Sequence, residues 1–230
     1  MNYLALVQDL ARQSGTLAGG VTISSVSGLT GRGEKLANWI ASAWTDIQNQ
    51  RRWNFLRSTF SSALIVNTTT YTSSSFSLTR FSAWVEDTRA YKPMTIYDGD
   101  IGQTDEGEIT QISYEQWRAK YDRGSHDATR PIEWAISPAR EFCVGCKPDD
   151  DYTLRGEYWK SPQTLSGNTD EPEAPSHLHK IIVYRAMVLM AEADESVPSL
   201  QMAEREYQRL FAAMANECLP SISTGAGALA

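Results

Sequence analysis

PIEWAIS (131–137), EFCVGC (141–146), KPDDDYTLRGEYWKSPQTL (147–165) and PSHLHKIIVYRA (175–186) form the stretch on which the fold turns. The first three segments alternate apolar and polar residues, the period-two signature of half-buried strands, with Pro- and Asp-containing turns between them. They predict strands over 132–137, 140–145 and 152–159. After Pro175 the period changes. Leu178, Ile181, Ile182, Val183, Ala186, Met187, Leu189 and Met190 make a helix that is apolar on nearly every side. Such a helix belongs in the middle of a helical bundle. Ser176 stands where an N-cap would, placing the helix at 176–194.

Downstream, a break at Ser196–Pro198 opens a last helix, with Leu200, Ala203, Tyr207, Leu210, Phe211 and Met214 opposite a charged face of Glu204, Arg205, Glu206 and Arg209. Residues 219–230 have neither periodicity nor charge and read as a flexible tail. Upstream, 2–13 reads as a short amphipathic helix on Tyr3, Val7 and Leu10. The segment 14–33 holds six of the fifteen glycines and reads as a Gly/Ser-rich arm. A helix over 34–52 carries the stripe Leu36, Trp39, Ile40, Ala43 and Ile47, widened by Trp44. Between, FSSALIV (60–66) and SFSLT (75–79) suggest a hairpin, and KPMTIYD (92–98) a strand. Ser113 is placed to cap a helix SYEQWRAKYD with Tyr114, Trp117 and Tyr121 on one side.

The expected fold class is therefore α+β: a bundle of N- and C-terminal helices with an inserted antiparallel β-rich region and a flexible C-terminal tail. The boundaries expected are bundle helices at 1–53, the β-rich region at 54–160, a linker at 161–175, bundle helices at 176–218 and the tail at 219–230.

Composition narrows the function. The 230 residues are 41% hydrophobic and 21% charged, as in folded proteins, and the net charge of −7 lacks the basic footprint of a sequence-reading DNA binder. Three cysteines do not make a disulfide framework and suit a reducing compartment. MNYLALVQDLARQ lacks the features of a signal peptide, and the apolar run near Ile181–Ala191 is shorter than the ~20 residues of a membrane span. The expectation is a soluble protein made inside the cell, with no membrane partner.

Few residues invite chemistry. Cys143 and Cys146 form a C-x-x-C pair between strands, whereas redox pairs sit at a helix start, and no second pair completes a zinc site. His177 and His179 stand two apart on a helix and point to different faces. His126 lies near Asp122 and Asp127 without the strand–turn–helix context of a nucleophile elbow. The run Asp149–Asp151 lacks the ligand spacing of a calcium loop, and Gly28, Gly31 and Gly33 precede a helix without the lysine of a P-loop. No catalytic residue, cofactor or metal ligand is assigned. Arg51, Arg52 and Arg57 around Trp53 and Phe55 remain candidates for non-specific contact with a DNA backbone. Seven tryptophans and ten tyrosines are many for this length; buried cores explain most of them, and the surplus favours assembly interfaces.

One family shares this order of elements. RRWNFL (51–56) closing a Trp-bearing helix, ISYEQW (112–117), PIEWAI (131–136), YTLRGEYW (152–159) leading to PQTL (162–165), and PSHLH (175–179) before IVYRA (182–186) together resemble the head–tail adaptor (connector) proteins of tailed bacteriophages. The long arm 14–33 and CVGC depart from that pattern. The resemblance implies a structural virion protein, not an enzyme. It would be made in the host cytoplasm and placed at the capsid–tail junction as a ring, commonly of twelve copies. Its implied partners are the portal protein, a downstream stopper, tail or nozzle protein, and DNA passing non-specifically through the lumen. It also implies that the tail, through Leu219, Pro220, Ile222, Leu229 and Ala230, reaches the portal. Two other roles fit less of the chain: a stopper or tail-completion ring protein, and a C-x-x-C metal or redox protein. A nucleic-acid-binding module is disfavoured by the acidic balance.

Overall fold

The computed structural model describes residues 1–15, 22–194 and 197–220. The chain divides into two compact units, one of Met1–Leu56 with Pro162–Ala230 and one of Arg57–Ser161.

The first unit is helical: α1 (Tyr3–Ser14), α2 (Gly31–Gln50), α4 (Lys180–Ala193) and α5 (Val197–Cys218). Helix α4 buries Ile181, Ile182, Val183, Ala186, Met187, Val188, Met190 and Ala191, and packs against α1, α2 and α5. Its surroundings are supplied by stripes on the other helices: Leu6, Val7 and Leu10 of α1, Leu36, Ile40, Ala43, Trp44 and Ile47 of α2, and Ala203, Tyr207 and Met214 of α5. Each large aliphatic side chain so buried contributes about 1.5–3 kcal/mol. Trp39 departs from the expected stripe. It is half-buried and lies under the Arg32 guanidinium at 4.9 Å.

Local chemistry sets the helix ends. Asn2 Oδ1 accepts from Ala5 N, and Gly15, at φ 60°, ends α1 in the left-handed conformation that glycine tolerates. Arg51 turns extended and stops α2. Trp53 then returns to the core, donating its indole N–H to Ile47 O at 2.7 Å and meeting Phe211 edge-on at 5.6 Å. The expected cap at Ser176 is not made. A 3-10 turn at Ser176–Leu178 precedes α4, which starts at Lys180, because Leu178 N donates to Pro175 O and tightens the chain one turn too early.

The Pro-bracketed segment 162–175 has no helix or strand up to Pro175, yet it is bonded throughout. Gln48 and Gln163 exchange amide and backbone bonds (2.7 and 3.0 Å), and Trp44 Nε1 donates to Gln163 Oε1. The carbonyls of Asn168 and Asp170 accept from Leu4 N and Tyr3 N, satisfying donors that the first turn of α1 leaves without an intrahelical partner.

The second unit holds two sheets. One runs β1 (Arg57–Ala63), β9 (Tyr152–Lys160), β4 (Thr95–Asp98) and β5 (Gly107–Glu108), with β3 (Phe81–Trp84) also on β9. The other runs β2 (Thr70–Tyr71), β8 (Phe142–Val144), β7 (Glu133–Ile136) and β6 (Thr110–Gln111). Ladders are antiparallel except β6–β7, which is parallel because the chain crosses through α3 (Tyr114–Trp117) between them. A capping box of Ser113 and Gln116 starts α3, as Ser113 predicts, but from Arg118 to Asp122 the helix widens into a π turn.

The expected 60–66/75–79 hairpin is replaced by longer-range pairing. β1 pairs with β9, Phe60 opposite Gly156, and residues 73–77 form turns. Thr72 and Ser75 hydroxyls bond the turn backbone, and Ser77 and Arg80 sit at φ 53° and 52°, a local alternative to a ladder that Ser and Thr readily offer. Phe76 still reaches the core, within 5.9 Å of Trp84 and of Phe142. That core continues through Trp134 stacked on Phe142 at 5.0 Å, with Met94, Ile96 and Leu154 beside them.

Gly156 is where the sheet tolerates no side chain. A Cβ there would collide with Met94 Sδ and stand 2.8 Å from the Phe60 ring. Gly156→Ala is expected to destabilise the β unit by about 1–3 kcal/mol, read as a lower thermal midpoint, and Gly156→Val by more.

His179 gives the helical unit a pH dependence. Its buried ring places Nε2 2.8 Å from Ala174 O and Nδ1 2.6 Å from the Met1 nitrogen, and burial holds its pKa below the ordinary 6.5. The unfolded chain takes up the proton first. The stabilisation is thus complete above pH 6.5 and is lost as pH falls below it. Thermal midpoints measured between pH 7.5 and 5 are expected to fall toward pH 5, with a shallower slope in His179→Gln.

Candidate assembly surfaces

The residues with chemical potential are held by their own neighbours. Cys143 lies inside β8, where burial pushes its thiol up to about 11. Cys146 donates to the Thr129 and Arg130 carbonyls at 3.2 Å each, and burial raises it as well. Both are thiols at neutral pH, the opposite of the thiolate that metal binding or exchange requires. His177 pairs with Glu217 at 2.9 Å on the surface while His179 faces Ala174 inside, so the two rings do not converge. Among the described residues, no three His, Cys, Asp or Glu side chains are grouped to hold a metal ion. His126 Nε2 lies 2.6 Å from the Arg123 carbonyl in an exposed loop. Asp149 accepts from the Tyr152 hydroxyl, Asp150 accepts from Asp151 N, and Gly28 and Gly31 adopt φ 72° and 60° in the turn that leads into α2.

The three arginines have different surroundings. Arg51 and Arg52 are exposed just past the end of α2. Arg57, at the start of β1, bonds Glu157 through both Nε (2.6 Å) and Nη2, and its guanidinium lies 5.1 Å from the centre of the Tyr91 ring. Its charge is thereby matched within its own unit. The aromatics between them face inward: Trp53 is fully buried, and Phe55 stacks on Trp44 and Trp53 at 5.7 and 6.0 Å. They present no stacking platform for bases. Of the tail residues, Leu219 is half-buried, bonded through its N–H to Ala215 O, and Pro220 is exposed. Ile222, Leu229 and Ala230 lie outside the described residues.

What the surface offers is shape, backbone and paired charge. Large apolar side chains stand out at Ile65 (62% exposed), Ile101 (61%) and Ile132 (60%) of the β unit and at Met202 (49%) of α5. Around the sheets, cations meet acids distant in sequence. Arg130 bonds Asp105 at 2.6 Å, and Arg155 bonds Glu106 at 3.1 Å. Lys120 and Tyr121 converge on Glu133 at 2.8 and 2.7 Å. Burial works to raise the Glu133 carboxyl, and the bonds from Lys120 and Tyr121 overcome it, leaving it below its usual range. In the helical unit, Arg32 donates from its two terminal nitrogens, Nη1 and Nη2, to the two carboxylate oxygens of Asp194 and holds that carboxyl low. None of these pairs is spaced as a motif, so only the fold reveals them. A groove of about 560 Å³ runs over the outer face of β1, β9 and β4, between Thr59, Ser61, Tyr91, Thr95, Glu106 and Arg155.

Among the described residues, no helix is long and apolar enough to cross a membrane. No curated protein matches the chain. The resemblance read from the motif order is, however, matched by a family: over residues 1–226, spanning both units, the chain fits the SU10 adaptor protein family. It therefore belongs to that family, and it is a bacteriophage adaptor, a structural component of the virion.

Proposed function

We propose that this chain is a head–tail adaptor that assembles into a closed ring of about twelve copies, docks on the portal and continues the DNA channel toward the tail. The observation that carries the reading is the family match over residues 1–226, which takes in the helical unit and the inserted sheets alike. The physical character of the chain agrees. Its thiols are buried and protonated, and several of its cations are matched by acids, among them Arg32, Arg57, Lys120, Arg130 and Arg155. The net charge of −7 suits a lumen that repels DNA and lets it slide, with Arg51, Arg52 and Arg57 as the non-specific backbone contacts.

In this reading residues 219–230, through Leu219, Pro220, Ile222, Leu229 and Ala230, dock on the portal. The ring's other face meets the next tail component.

Native mass spectrometry of the chain mixed with its phage's portal protein is expected to show a complex with about one copy per portal subunit. A chain that stays monomeric in the presence of portal would defeat the adaptor reading. Deletion of 219–230 is expected to leave circular dichroism and the thermal midpoint unchanged while the portal complex is lost. Undiminished portal binding by the shortened chain would remove the tail from this role.

A further inference from the structure

Strand β1 is an edge whose backbone is half unused. Leu64 N donates to Tyr152 O, so the even-numbered residues of this strand face β9. By the alternation of an antiparallel ladder, Arg57, Thr59, Ser61 and Ala63 turn both N–H and C=O away from it. β1 has β9 as its only strand neighbour, and among the described residues no backbone bond satisfies those outward groups.

The other outer strands of the unit are protected. β2, β5 and β6 are two residues each, and β3 is interrupted by a register shift between Phe81 and Ala83. β1 is seven residues long, and Ser58–Ala63 contains neither proline nor charge, the devices by which exposed edges are ordinarily blocked. Beside it lies the groove over β1, β9 and β4, where alternate side chains of an added strand would project past Thr59 and Ser61. On the other face they would meet Phe60, which is only half-buried.

We infer that β1 is a strand-accepting edge that pairs with an extended segment of a second copy of this chain. The inference rests on the ring reading above. The charges lining the groove are already matched to one another, Arg155 with Glu106 and Lys92 with Glu108, so the site offers backbone and shape rather than a charge for a ligand. A segment without charge fits it, and the chain carries such a stretch in its Gly/Ser-rich arm, at residues 16–21. Pairing an edge of one copy with a different segment of the next is head-to-tail and propagates around a ring, whereas β1 against β1 would close a two-fold dimer.

The test places a photo-crosslinker on Ser61→Cys, whose thiol is exposed where Cys143, Cys146 and Cys218 are buried, and identifies its product by mass spectrometry in the chain–portal complex. Hydrogen exchange over 57–64 is followed in the unmodified chain, as dilute monomer and in the complex. The expected result is a crosslink to another copy at a segment other than β1, with the amides of Thr59, Ser61 and Ala63 protected only on assembly. Ser61→Pro removes an outward N–H while leaving the β9 ladder intact, and is expected to raise the concentration needed for assembly about tenfold. A crosslink to portal, a β1–β1 crosslink, or a ring whose 57–64 amides exchange as in the monomer would overturn the inference and leave the ring reading standing. Absence of any ring in the unmodified chain would overturn both.

Discussion

A helix that is apolar on nearly every side needs neighbours to cover it, and α4 imposes that condition on the helical unit. Its eight buried side chains need partners from more than one direction. They find them in α1 and α2 from the beginning of the sequence and α5 from the end. The helical unit therefore closes only after Pro162 has brought the chain back, and the bonds of Gln163, Asn168 and Asp170 to α2 and α1 fasten the return. What lies between, Arg57–Ser161, is free to be a different kind of structure.

That inserted unit is held by residues far apart in sequence. β9 is its axis, pairing with β1, β3 and β4, and its inward residues Leu154, Gly156 and Tyr158 fix how closely the aromatic core approaches. Phe60, Phe76, Trp84, Trp134 and Phe142 touch in chains of tilted and stacked pairs, each worth about 0.5–1.5 kcal/mol beyond burial. The abundance of aromatics thus serves two ends. Nine of the twenty-three line this core and others fill the helical unit, while Trp39 and Tyr91 remain partly at the surface under arginines.

The elements legible in the sequence were those whose signals are local. Helical periodicity located α1, α2, α4 and α5, and the Ser113–Gln116 spacing gave the start of α3. Strand existence was legible at 92–98, 132–137, 140–145 and 152–159. Strand pairing was not, since β1 meets a partner near residue 156 and nothing within FSSALIV records it. The Ser/Thr-rich stretch after Tyr71 looked like a returning strand because its hydroxyls, which in fact close turns, leave the same alternation of Phe76 and Leu78. Trp39 misled in the opposite way, sitting on a helical stripe while a guanidinium covers its ring. On the surface, Arg57 reads as a free cation until the fold brings Glu157 beside it.

Cysteines and histidines of the chain are engaged by their own neighbours, Cys146 by Thr129 and Arg130, His177 by Glu217 and His179 by Ala174. Its family membership makes it a virion adaptor; the ring is the claim on which the rest of the account depends. Cryo-electron microscopy averages of the chain assembled on its portal, viewed down the channel, address that claim most directly. The account predicts a closed ring, with a rotational symmetry commensurate with the portal's, around an open lumen. Two-fold dimers, or subunits scattered on the portal without closure, would contradict it.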